Sequence, residues 1–175
     1  MLINLSELFP VEGKSKTYDL ELEMTQFHAP DGVYGIVEKH PVNLVITNQG
    51  DKVLTVKGEA DVCLEMPCSR CLEPVKVPFH LEIDQKVDMK QTDEDRAADL
   101  DEQFYINGYN LDVDQLVGNE LTLNLPMAVL CSDECKGICD RCGTNLNHET
   151  CDCDNRPLDP RMSVIQDIFK QLKEV

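Results

Sequence analysis

Eight of the nine cysteines in this chain fall into tight sets, and no other feature limits its folding options as strongly. Cys68 and Cys71 form a C-x-x-C pair. Cys131, Cys135, Cys139, Cys142, Cys151 and Cys153 lie within 23 residues. A tetrahedral zinc ion takes four soft ligands at about 2.3 Å, and a C-x-x-C turn supplies two of them. Six thiols among Asp, Asn and Lys residues are poor candidates for buried apolar packing. An odd cysteine total fits a disulfide framework badly. Metal ligation is therefore the expected use. The ninth cysteine, Cys63, sits in an alternating apolar pattern and is expected in the core.

Eight thiols make two tetrahedra. The economical pairing is Cys68, Cys71, Cys131 and Cys135 for one zinc, and Cys139, Cys142, Cys151 and Cys153 for the other. Cys139-Asp140-Arg141-Cys142-Gly143 has knuckle spacing, with a glycine free to take positive φ after the second ligand. Cys151 and Cys153 pose a difficulty, because residues two apart face opposite sides of a strand. A tight turn is required there. A single zinc held by Cys135, Cys139, Cys142 and one of Cys151 or Cys153 is the alternative. His148 lies among the cysteines and reads as a loop residue.

The rest of the chain reads as mainly antiparallel β structure. Period-two alternation runs through Tyr18–Met24, Val42–Ile46, Leu54–Met66 and Val75–Met89. Asn48–Asp51 reads as a turn, and Pro74 and Pro78 demote the last strand to an edge or a bend. Asn4–Phe9 holds a single helical turn. Asp112 with Gln115 three residues on starts a helix that ends near Leu125-Pro126. Asp159-Pro160 starts a terminal helix with Ile165, Ile168, Phe169 and Leu172 on one face. Aromatics are 5% of residues and Trp is absent, so the core is aliphatic. The expected fold is α+β: a twisted antiparallel sheet or partly open barrel, with a cysteine-rich zinc module and a terminal helix. The expected organisation is a β-rich domain with the C-x-x-C turn (1–90), an acidic loop (91–110), a helix and connection packed on the sheet (111–130), and the zinc module with its helix (131–175).

The net charge is −17. Residues 136–175 carry six basic against seven acidic side chains, which leaves −16 on residues 1–135. Non-specific nucleic-acid binding draws its affinity from Lys and Arg, so a basic partner suits this chain better. No segment reads as a secretory signal or a membrane helix, and a cytoplasmic location is expected. An all-cysteine zinc site has no open coordination position, so the sites are expected to be structural. No phosphate loop, catalytic triad context or H-E-x-x-H is present. A non-enzymatic role is expected. The competing classes are a thiol redox protein using Cys68 and Cys71, and an RNA-processing enzyme. The redox class needs the C-x-x-C at a helix N-terminus, whereas Leu72-Glu73-Pro74-Val75 leads into a strand.

Several stretches together resemble the YceD family: Cys68-Ser69-Arg70-Cys71-Leu72-Glu73-Pro74, then Cys135 to Cys139, Cys142-Gly143, Asn145-Leu146-Asn147, Cys151-Asp152-Cys153 and Asp159-Pro160-Arg161. The order of strands, C-x-x-C, acidic stretch, helix and cysteine cluster agrees as well. The resemblance implies a factor needed for normal levels of large-subunit ribosomal RNA, and the leading expectation is a ribosome-assembly factor that acts by binding large-subunit components. On the charge argument, a basic ribosomal protein is favoured over naked ribosomal RNA. Oligomeric state is not implied.

Overall fold

The computed structural model describes residues 1–90 and 105–153. The expected terminal helix and most of the acidic stretch lie outside the described residues. The described residues divide into two compact units, one of residues 1–68, 73–90 and 105–129 and the other of residues 69–72 and 130–153. Cys68 falls in the first unit and Cys71 in the second.

The first unit is built on two antiparallel sheets. The larger contains β2 (Ser15–Leu20), β3 (Gln26–Ala29), β4 (Gly32–Lys39), β5 (Val42–Gly50), β6 (Val53–Pro67) and β7 (Pro74–Asp88). The smaller pairs β1 (Leu2–Asn4) with β9 (Asn110–Asp112), and β9 with β8 (Ile106–Asn107). β6 is the spine. One of its edges is shared by β5, opposite Val53–Glu59, and β4, opposite Val62–Glu65. Its other edge pairs with β7 along the full 15 residues. No pairing among the described residues closes this sheet into a barrel.

Alternation explains the core. Leu54, Val56, Ala60, Val62, Leu64 and Met66 of β6 are buried, as are Phe79, Leu81, Ile83 and Val87 of β7. The intervening residues face outward. Cys63 is one of those, half-buried opposite Pro78. The expectation of a core cysteine is corrected: Val62 and Leu64 take the inner positions, so strand period places Cys63 on the other face. Gly58 interrupts β6 where the neighbouring backbone comes close, and a Cβ there would lie 2.1 Å from the Asn43 carbonyl oxygen.

The turn Asp51-Lys52 after Gly50 takes positive φ at all three residues, which closes the β5–β6 hairpin. Asn48, buried, donates from Nδ2 to the carbonyls of Leu8 and Val11, both at 3.0 Å. It thereby ties the 3-10 turn Ser6–Leu8 to β5. α1 (Val113–Asn124) begins at Asp112, whose carboxylate accepts from the amides of Asp114 and Gln115. It buries Leu116, Val117 and Leu121. Glu120, also buried, accepts from Gln85 of β7 at 2.7 Å. Residues 105–110, which the sequence placed in the acidic loop, form the β8–β9 hairpin with Tyr105 and Ile106 buried.

Candidate metal centres

The 15-residue ladder of β6 and β7 ends in a four-residue turn closed by a bond from the Cys68 amide to the Glu73 carbonyl, 2.8 Å. Leu72 completes the turn at φ 64°, a conformation that disfavours a side chain by roughly 1–2 kcal/mol. That turn presents Cys68 and Cys71. Their sulfurs meet those of Cys131 and Cys135, and all four lie within 4.8 Å of one another. The Cys71 and Cys131 sulfurs lie 3.5 Å apart. Cys68, Cys71 and Cys135 are buried while Cys131 is exposed.

Three contacts position Cys135. Its amide bonds to the Ser132 carbonyl at 3.1 Å, which turns the loop. Arg70, between the two cysteines of the first pair, then holds the second loop. Its guanidinium donates to the Cys135 carbonyl at 2.9 Å, and its own carbonyl accepts from Ile138 at 3.1 Å. Gly137, at φ 78°, makes that approach possible, since a Cβ there would lie 3.0 Å from the Arg70 oxygen. Asn147 donates to the Cys135 sulfur at 3.3 Å and accepts from the Lys136 amide at 2.7 Å. This Asn147 contact, with the Gly137 amide, holds the Cys135 thiol below its ordinary range.

The second sulfur group is Cys139, Cys142, Cys151 and Cys153, again within 4.8 Å of one another. The Cys139 amide bonds to the Thr144 carbonyl and the Gly143 amide to the Cys139 carbonyl, both at 2.9 Å. Gly143 takes φ 73°, as the knuckle spacing requires. Ile138 bridges to Asn145 across this loop. Residues 151–153 are not in a strand, which removes the difficulty of their two-residue separation.

The electrostatics of this group suit a cation. The amides of Cys142 and Arg141 lower the Cys139 thiol, and Thr144, through side chain and backbone, brings Cys142 down to about 6. Those two readily formed thiolates oppose further ionisation nearby. Cys142, with burial and Cys139, pushes Cys153 up to about 12. Cys151 is also raised: the Cys153 amide pulls it down, but Cys139, burial and Cys142 outweigh that pull. A divalent ion among four sulfurs offsets this repulsion and lets all four ligate as thiolates. The donor set therefore fits a soft metal ion, and a four-thiolate site leaves no coordination position open.

The sequence pairing and the geometric grouping coincide for all eight residues. His148 belongs to neither group and is exposed. The sequence assigns no role to Thr144, nor to Arg70 and Asn147, although those two fall within the motifs that carry the resemblance. The position of Arg70 inside the C-x-x-C was the available signal.

These features define a class: an antiparallel-sheet protein with one described helix and two four-cysteine groups able to hold metal ions. Residues 56–170 match the family described as large ribosomal RNA subunit accumulation protein YceD, and the chain belongs to that family. An uncharacterised protein of Mycobacterium tuberculosis is 27% identical over 47% of this chain and 40% of its own length. The Arabidopsis thaliana chloroplastic protein named large ribosomal RNA subunit accumulation protein YCED homolog 1 is 27% identical over 37% of this chain and 20% of its own. The uncharacterised protein YlbN of Bacillus subtilis is 25% identical over 67% and 64% respectively. The chain thus spans less than two thirds of each of these relatives. No solved structure matches. No described helix is long and apolar enough to cross a membrane.

Proposed function

We propose that this chain is a non-enzymatic, cytoplasmic ribosome biogenesis factor that supports large-subunit ribosomal RNA accumulation by binding a basic ribosomal protein or an assembly intermediate. Family membership supplies the association with that RNA. The observation that carries the mode of action is the charge of −16 on residues 1–135. Such a surface repels bare phosphate and attracts a polycation, which speeds encounter and makes it salt-sensitive.

The metal in this reading is zinc, with Cys68, Cys71, Cys131 and Cys135 holding one ion and Cys139, Cys142, Cys151 and Cys153 the other. Its contribution would be to cross-link loops too short and polar to build a core. The protein's own residues do the rest: Arg70 and Asn147 set loop geometry, and Gly137 and Gly143 supply the backbone freedom.

The test compares affinities in one buffer at physiological salt. A basic large-subunit ribosomal protein is expected to bind at least tenfold more tightly than protein-free ribosomal RNA. Tight RNA binding that is lost on replacing Arg141, Arg156 and Arg161 would reverse the reading and assign RNA contact to the C-terminal segment.

A further inference from the structure

The outer edge of β7 offers main-chain hydrogen bonds in a defined alternation. In the β6–β7 ladder, Cys68 bonds to Glu73 at one end and Met89 bonds to Lys52 at the other. The register between them has no shift. In an antiparallel pair, residues that exchange bonds alternate with residues that do not. The odd-numbered residues of β7 therefore bond to β6. The even-numbered ones, Pro74 to Asp88, aim their backbone groups at the opposite edge. Pro74 and Pro78 fall at outward positions, where a missing N–H costs the ladder nothing, and they blunt that end of the strand. His80, Glu82 and Asp84 keep both outward groups. Among the described residues no strand pairs with this edge, and no backbone bond is formed by those three outward amides.

Charge selects the occupant. The outward side chains of the same stretch form cross-strand rungs with β6. Asp84 faces Lys57 and is paired with it at 2.9 Å, and His80 faces Asp61 at 2.7 Å. Glu65 faces Lys76. The rung between them breaks this rule of opposites, because Glu82 stands directly across from Glu59, both exposed. Like charges directly opposite destabilise a sheet. A shallow depression of about 420 Å³ opens beside that rung, lined in part by Val45, Lys57, Glu59, Glu82 and Asp84, with Lys57 already paired to Asp84.

We propose that β7 accepts an extended basic segment of a partner protein as an added strand at His80–Asp84, with a Lys or Arg of that segment beside Glu82, its long side chain reaching over toward Glu59. Main-chain bonds to Glu82 and Asp84 supply the alignment, and the like-charged rung supplies the selection for a cation. Strand geometry makes the partner's sequence alternate, with basic residues on the outer face and small or apolar ones on the inner. The inference rests on the functional reading above and names its surface.

The experiment uses the full-length, metal-loaded chain and a ten-residue peptide of alternating lysine and threonine, with a glutamine-for-lysine peptide as control. In the free protein the Glu82 and Asp84 amides should exchange rapidly with solvent. The lysine peptide should slow both at least tenfold, and the control should not. Glu82→Pro copies the tolerance of Pro74 and Pro78, so it should leave the thermal midpoint near that of the parent while weakening the peptide at least tenfold. Glu82→Lys, which retains the amide, should weaken it comparably. Slow exchange of both amides in the free protein would overturn the proposal. So would peptide binding indifferent to both variants, or equal protection of the same amides by single-stranded RNA. If a basic ribosomal protein binds the chain without touching these amides, the β7 proposal falls and the functional reading stands. If no basic protein binds at all, both fall.

Discussion

Arg70 reaches across to the Cys135 carbonyl at 2.9 Å, so the turn that carries one cysteine pair grips the loop that carries the last member of its sulfur group. The contact is bidirectional, since the Arg70 carbonyl also accepts from Ile138. Groups that orient metal ligands without touching the ion commonly change affinity by about 10–100-fold when removed. Arg70→Ala should lower the affinity of one metal equivalent by about tenfold in chelator competition. Arg70→Lys should recover little of it, because an ammonium lacks the planar fork. An unchanged competition curve for Arg70→Ala would remove this residue from the account.

The two sulfur groups lead to a stoichiometric expectation. Purified protein should carry about two zinc ions per chain, the number set by two four-thiolate sites. Cys139→Ser and Cys142→Ser should each lose the same equivalent, and the double variant should lose no more than either. Cys71→Ser should lose the other. Cys63→Ala should lose none. Elemental analysis against protein concentration decides it, and a loss of metal from Cys63→Ala would contradict the grouping.

His80 is raised above its ordinary range by its hydrogen bond to Asp61, with that carboxylate's charge and those of Glu59 and Glu82 adding to it. A raised folded value means the pair's contribution to stability is fully present below the unfolded histidine value of about 6.5. It fades as pH rises through the folded value. Asp61→Asn should bring the His80 titration, followed by imidazole NMR shifts, back toward the ordinary value. A titration unmoved by that change would refute the assigned cause.

Gly58 is a steric requirement. A methyl group 2.1 Å from the Asn43 oxygen cannot be accommodated without separating β5 from β6. Gly58→Ala should therefore destabilise the first unit by about 2–4 kcal/mol, in the range of strained core substitutions. Chemical denaturation followed by far-UV circular dichroism measures it, and a midpoint equal to the parent's would refute the contact.

How much of this was legible beforehand varied with the physics involved. β6 and β7 were readable because both alternate over many residues, and the same prolines that looked awkward within a ladder proved to lie on its open edge. Asp112 announced α1 through its capping chemistry. The cysteine grouping followed from ligand number and spacing. β3 and β4 were missed: β3 has only four residues, and in β4 the apolar residues fall side by side, Val33-Tyr34 and Ile36-Val37 around Gly35, so no period of two shows. β8 and β9 are shorter still, and their pairing depends on β1, more than a hundred positions away. Cys63 was misplaced because its neighbours, rather than its own parity, were taken as the guide. Arg70 acts through a carbonyl on a distant loop, a partner that its place inside the C-x-x-C does not identify.

The spacing of the two sulfur groups also has a kinetic consequence. Cys139 through Cys153 belong to one short stretch, whereas Cys71 and Cys131 are 60 positions apart. Closing the longer loop costs roughly 1 kcal/mol more chain entropy. It also demands that β6 and β7 first meet, since their ladder ends in the turn that carries Cys68 and Cys71. Metal capture by the short-range group should thus be fast and independent of the sheet, and capture by the long-range group slow and gated by hairpin formation. Zinc added to unfolded, metal-free protein should be taken up in two phases, and Gly58→Ala should retard only the second.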